Sequence, residues 1–333
     1  MEEKKEMEVR KLLGKYAMTK YLADRLDEEL LPICITHWLL PGKDLKTGGP
    51  RPENEIMTLQ PEYKEMTSPI VLSVVKKTEE TGKIFTGRRL LFDELDTAFR
   101  FLLKLPPSFR NYFILVPEDQ VIALYFDLDK ANDDFWRDHP NYSWDETLRA
   151  LIVIVEEAWK QLTGSNEPPP PWYEELYCFT STGKSKILSK HLHTTQDPNS
   201  RCFFGLPSRK SLHYFLIKMR EVVREAYHDE KSQVYKAARI LSHEKEVEVE
   251  TKDGKKEMKL SMNFIFDVNG SGSQWRLPFC QKPGGVPLLP DFEYDERDMG
   301  RILRIGYPVR PKERAAKIPK EKLIDFAPQP SRR

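Results

Sequence analysis

Four cysteines in 333 residues, Cys34, Cys178, Cys202 and Cys280, are too few and too scattered for a disulfide framework or a Cys-x-x-Cys zinc knuckle. They read as buried or incidental thiols of a reducing compartment. Long apolar runs are missing as well, since no stretch approaches the roughly 18 residues that span a bilayer. The first residues, MEEKKEMEVRKLLGKYAM, are too acidic for an import presequence and lack the apolar core of a secretory signal. An intracellular protein with no membrane partner and no structural zinc is expected. Nor is there an excess of charge of one sign: 53 Lys and Arg face 52 Asp and Glu, so global charge does not point to nucleic acid. Charge is segregated only locally, in residues 301–333, where ten basic residues outnumber three acidic ones. That segment reads as a solvated tail. There are no internal repeats.

What is present suits a folded chain of two or three sub-structures: 39% of the residues are hydrophobic and 32% charged. Residues 3–30 read as one charged helix with apolar positions at Val9, Leu12, Leu13 and Tyr16. Its Lys4, Lys5, Arg10, Lys11 and Lys15 form either a solvated face or a brace for a polyanion. SPIVLSVVKKTEETGKIFTGRRLLF reads as two strands around a turn at Gly82, and FDELDTAFRFLLKL as a helix ended by PPS. SWDETLRALIVIVEEAWKQLTG is the clearest helix, with Ser143 and Glu146 at capping-box spacing and Gly164 at the C-cap. Strands follow at LYCFTS and KILSKHLH, and a second helix from Ser208 to about Tyr227 buries Leu212, Phe215, Leu216, Met219, Val222 and Val223. EVEVETKDGKKEMKLSMNFIFDV reads as a hairpin turning at Asp253-Gly254, its second strand running on to Asp267.

The stretch ALYFDLDK, residues 123–130, sets two carboxylates on a buried strand. Residues two apart share a face, so Asp127 and Asp129 point the same way and call for a cation or donors. In KILSKHLH the same alternation puts Ser189, His191 and His193 on one face. NFIFDVNGSGSQWRLPFCQK ends a strand at Asp267 and returns with Arg276 and Lys282. The order strand, helix, strand, strand, helix, strand is that of a βαββαβ sheet, which brings non-sequential strands side by side. Carboxylates for a metal, a hydroxyl and an imidazole for phosphate oxygens, and two cations for phosphate charge together suit a metal–polyphosphate ligand.

These segments resemble the three motifs of the archaeo-eukaryotic primase superfamily, and within it the PrimPol-like primase-polymerase catalytic module. VPEDQVIALYFDLD resembles the first motif, LSKHL the second, and FIFDVNGSGSQWRLPFCQK the third. The resemblance covers roughly residues 70–300. It implies metal binding by Asp127, Asp129 and Asp267, and nucleotide binding by Ser189, His191, Arg276 and Lys282. GRRLLFDELDTAF adds Arg89 as a residue near nucleotide and template. The family commonly pairs Asp with Glu in its first motif, so Asp129 is the shorter ligand. The fold implied is α+β, a primase catalytic core in which an N-terminal α/β unit packs on an RRM-like βαββαβ sheet. The boundaries expected are a helix at 1–30, an α/β subdomain at 31–115, the catalytic subdomain at 116–300 and the tail at 301–333. The activity implied is DNA polymerisation of the primase-polymerase type, in translesion or replication-restart work, with two Mg²⁺ or Mn²⁺ ions as cofactors. The partners implied are a DNA primer-template, its single-stranded template, and dNTPs or NTPs, in the nucleus for a eukaryotic source. The zinc module that helps the family start chains is not in this chain, so primer extension is expected and initiation is left open.

Two rival readings stay open on the residues alone. A metal-dependent nuclease or phosphoesterase would use His191 and His193 as an H-x-H ligand pair beside the carboxylates. A non-catalytic module would hold single-stranded nucleic acid on exposed aromatics of the middle strands, where this sequence has Asp, Ser and His.

Overall fold

The computed structural model of the chain describes residues 2–36, 56–58, 70–78, 81–82, 84–116, 120–130, 143–181, 188–250, 256–268, 274–307 and 318–326. It is an α+β structure whose named strand pairs are all antiparallel. The chain divides into two units, Met1–Val116 with Ser273–Tyr307, and Pro117–Gly272 with Pro308–Arg333.

The first unit opens with α1 (Glu2–Tyr16) and α2 (Lys20–Ala23) in place of one helix through residue 30. The break is local chemistry. Thr19 starts α2 by accepting the Leu22 N–H at 3.3 Å. Gly14 permits the chain to fold back, because a Cβ there would stand 3.0 Å from the Lys20 Cα. Val9, Leu12 and Leu13 are buried, as their spacing predicts. Arg10 is engaged within the fold: one guanidinium nitrogen donates to the carbonyls of Ala23 and Leu26, both at 2.8 Å, which ties the helices together.

Strands β1 (Cys34–Thr36), β2 (Ile56–Thr58), β3 (Ile70–Lys77), β4 (Ile84–Phe92) and β5 (Tyr112–Leu115) form a sheet in the order β5-β3-β4-β1-β2. Strand Gln274–Arg276 adds itself beside β5. This differs from the expected boundary at residue 300, which grouped 274–300 with the later strands. Three residues carry too little pattern to name their sheet. Register alternates rows across this sheet. Trp275, Ile114, Leu72, Leu90 and Ile35 lie in one row, each no more than 2% exposed. Helix α3 (Leu95–Lys104) covers that face, its Phe101 ring meeting Tyr112 edge-on at 5.8 Å.

The second unit contains β6 (Ile122–Ala123), β7 (Tyr125–Lys130), α4 (Trp144–Thr163), β8 (Leu176–Thr180), β9 (Leu188–Thr194), β10 (Gly205–Leu206), α5 (Arg209–Ala226), α6 (Tyr235–Leu241), β11 (Ser242–Glu250) and β12 (Lys256–Phe264). Strands β8, β9 and β7 run side by side in that order. On the far side of β7 lies the segment after β12: Phe266 bridges Leu128 antiparallel, with Asp129 N–H donating to the Ile265 carbonyl at 2.9 Å and Asp267 N–H to the Asp127 carbonyl at 2.8 Å. Numbered by the βαββαβ motif, this is the order 2-3-1-4, so the expected interleaving of strands is present. The run to Asp267 is not one strand. Residues 256–264 pair with β11, and the chain then switches to β7 at Ile265. The expected turn at Asp253-Gly254 lies outside the described residues.

The two long helices form where their signals stand. Ser143 and Glu146 make both bonds of a capping box, and Gly164 ends α4 in the left-handed conformation at φ 68°. Ser208 caps α5 through the Ser211 N–H, and the six apolar positions read from the sequence are all buried. α4 and α5 meet through a ring cluster, Trp159 edge-on to Phe204 and Phe204 against Phe215. Among the described residues no helix is long and apolar enough to cross a membrane.

Candidate metal and nucleotide site

The site is built by strand register in the second unit. Antiparallel pairing sets Asp127 opposite His191 and Asp129 opposite Ser189. On the other side of β7, the Leu128–Phe266 bridge and its two flanking hydrogen bonds set Asp267 opposite Asp127. Cross-strand partners point to the same face. A row His191–Asp127–Asp267 therefore crosses three strands, and Asp129 and Ser189 form the next row, two residues along. The opposite face is largely apolar, with Phe126, Leu128, Leu192 and Phe266 each no more than 1% exposed, and carries buried Lys190 opposite Leu128.

Burial is graded along the row. The His191 side chain is 6% exposed and its Nε2 lies 3.6 Å from Asp127 Oδ1, while the Asp127 and Asp267 side chains keep 27% and 41% of their surface. The imidazole is thus fixed and the carboxylates face outward. His193, next along β9, is opposite Tyr125 rather than a carboxylate. Its ring stacks on Tyr125 at 6.0 Å and meets Phe179 edge-on at 5.3 Å. Burial, with nearby His191 as a second cause, holds its pKa well below the ordinary histidine value. Tyr125 and Phe179 are themselves buried.

One participant was not read from the sequence. Arg220 of α5 brings Nη2 to 3.7 Å from Asp267 Oδ1 and donates from the same atom to the Phe266 carbonyl at 3.1 Å. Its guanidinium carbon stands 4.7 Å from the Phe264 ring centroid. Burial lowers the Arg220 pKa, Asp267 raises it, and Arg224 lowers it. An arginine on the polar flank of a helix carries no local mark of such a reach.

The remaining predicted residues belong to the first unit, where two of them share a row. Arg276 pairs with Phe113, Phe113 with Ser73, and Ser73 with Arg89, on the face opposite Trp275 and Leu72. Three strand spacings of about 4.8 Å separate the two arginines. Arg276 is 8% exposed, and Lys282 is exposed in a turn closed by the Gly285 N–H on the Lys282 carbonyl. Cys280 lies beside this row. Burial pushes its thiol up to about 12, against the pull of Arg110 and Arg276.

Among the described residues no group of three His, Cys, Asp or Glu side chains is drawn together as a ready metal cage. The donor chemistry nonetheless fits a hard divalent ion, because Asp127, Asp129 and Asp267 offer six carboxylate oxygens from one face. No protein-family model matches the chain, and no curated protein matches it.

Proposed function

We propose that this chain is a template-directed nucleotidyl transferase, a DNA polymerase of the primase-polymerase type that extends a primer with nucleoside triphosphates. The observation that carries the reading is the shared face of Asp127, Asp129 and Asp267, with Ser189 and His191 in register beside them. Three acids on adjacent strands repel one another in the absence of a cation, so a fold that retains them there has a use for one. Asp127, Asp129 and Asp267 would hold two Mg²⁺ or Mn²⁺ ions, which would supply Lewis-acid activation of the primer hydroxyl and charge neutralisation for the phosphoryl transfer. His191, fixed by burial and by Asp127, would donate to a phosphate oxygen, with the Ser189 hydroxyl beside it. Arg276 and Lys282 carry the triphosphate role that the third motif implies, and Arg89 the role near nucleotide and template. Base pairing reads the template, so the protein's own contacts to DNA run to the backbone and weaken with salt.

The test is extension of a labelled primer on a longer template with Mg²⁺ or Mn²⁺ and dNTPs or NTPs, beside the double variant Asp127→Ala/Asp129→Ala. Extension by the wild type that is lost in the variant supports the reading. Primer shortening would favour the hydrolase, and binding without turnover the non-catalytic module.

A further inference from the structure

We propose that Arg220 is a positioning residue for the Asp267 carboxylate, fixing the orientation in which that group takes up a divalent cation. The inference rests on the metal-dependent reading above and names a residue which that reading does not include.

Residues 265–267 are held to β7 by two backbone hydrogen bonds. In an antiparallel ladder the polar groups of the intervening residue point the other way. The Phe266 carbonyl therefore leaves the sheet on the side away from β7, and Arg220 receives it at 3.1 Å. The arginine is held at both ends. Its stem leaves α5 beside the buried positions Met219 and Val222, and its guanidinium carbon stands 4.7 Å from the Phe264 ring centroid and, farther off, 6.0 Å from that of Phe266. A planar fork fixed in this way has lost its freedom before any ligand arrives. The nitrogen that takes the Phe266 carbonyl is also the one 3.7 Å from Asp267 Oδ1. Contact at one oxygen restricts the rotation of the carboxylate and gives its other oxygen a defined direction.

Asp267 needs this restraint more than Asp127 does. It stands on a three-residue segment with a 41% exposed side chain and faces the like charge of Asp127, which drives it outward. Asp127 has buried His191 beside it. A four-membered row results, His191–Asp127–Asp267–Arg220, in which each carboxylate has a nitrogen group on its outer side.

A guanidinium does two things to a neighbouring dication, and they differ in sign. As a mere counter-ion it repels the metal, so removing it would tighten binding. As a positioner it keeps a ligand in place, so removing it would weaken binding. The geometry favours the second, because the hydrogen bond goes to the Phe266 carbonyl while the carboxylate is met end-on at a longer distance and not by the paired nitrogens of a fork.

The experiment is Mn²⁺ titration of the full chain, read by the electron paramagnetic resonance of free Mn²⁺, for wild type, Arg220→Met, Arg220→Lys and Asp127→Ala/Asp129→Ala, with circular dichroism as the fold control. Loss of an outer partner of a metal ligand costs about 10–100-fold in affinity, so Arg220→Met is expected to bind Mn²⁺ roughly tenfold more weakly. Arg220→Lys keeps the charge without the fork and is expected to fall between the two. If Arg220→Met does not fold, the lysine variant carries the test, and wild-type affinity there would overturn the proposal. Unchanged or tighter binding by a folded Arg220→Met would also overturn it, leaving the metal reading intact provided the double aspartate variant has lost its site. Mn²⁺ binding indifferent to Asp127 and Asp129 would defeat both.

Discussion

The Asp267 backbone N–H donates to the Asp127 carbonyl at 2.8 Å, which makes the two acids direct cross-strand neighbours on one face. Like charges so placed destabilise a sheet by roughly 0.2–1 kcal/mol. Neutralising one should therefore stabilise the metal-free protein. With about 2–4 °C per kcal/mol for a unit of this size, Asp127→Asn at pH 8 in chelator should melt about 1–3 °C higher than wild type while losing primer extension. Differential scanning fluorimetry beside an extension assay reads both. A lower melting point would mean that Asp127 serves the fold and not a ligand.

Divalent ions should reverse that order. A ligand that binds only the folded state at a hundred times its Kd adds about 2.7 kcal/mol. Mn²⁺ should then raise the wild-type melting point by roughly 5–10 °C and leave Asp127→Asn and Asp267→Asn nearly unmoved. Equal shifts in all three would place the metal elsewhere.

Much of this face is legible in the sequence because strand alternation is a strong signal. Asp127, Asp129, Ser189 and His191 follow from a period of two, and the pairing of β7 with β9 follows from the order of elements. Helices α4 and α5 are legible through Ser143, Glu146, Gly164 and Ser208, whose side chains or backbone do what their types suggest. Tertiary effects are not. The break at Gly14 and Thr19 depends on how closely two helices approach, the return of Gln274–Arg276 to β5 on long-range pairing of three residues, and the reach of Arg220 on a sheet edge no local pattern describes.

Lys282 tests the triphosphate role separately from folding. It is exposed in a turn closed by backbone, so Lys282→Ala should leave the melting point within about 1 °C of wild type. A charge-assisted hydrogen bond to a phosphate is worth about 1.5–3 kcal/mol, so the KM for the incoming nucleotide should rise at least tenfold. Primer-template affinity, measured by anisotropy, should not change. A loss of DNA binding with an unchanged KM would assign Lys282 to the nucleic-acid backbone instead.

His193 should make the protein acid-sensitive, and the sign follows from its surroundings. Packed between Tyr125 and Phe179 and out of water, it stays neutral in the fold well below the ordinary histidine value. In the unfolded chain it takes a proton near pH 6.5. Below that pH the unfolded state binds more protons, so stability falls as pH drops and levels off only when the folded pKa is reached. By pH 5.5 this one group removes about 1.4 kcal/mol, a fall of roughly 3–6 °C in melting point. His193→Phe keeps a ring between Tyr125 and Phe179 but has no proton to take up. Its melting curve between pH 7.5 and 5.5 should therefore be flatter than wild type by that amount. Parallel curves for the two proteins would show that His193 is already charged in the fold or that the site opens to water.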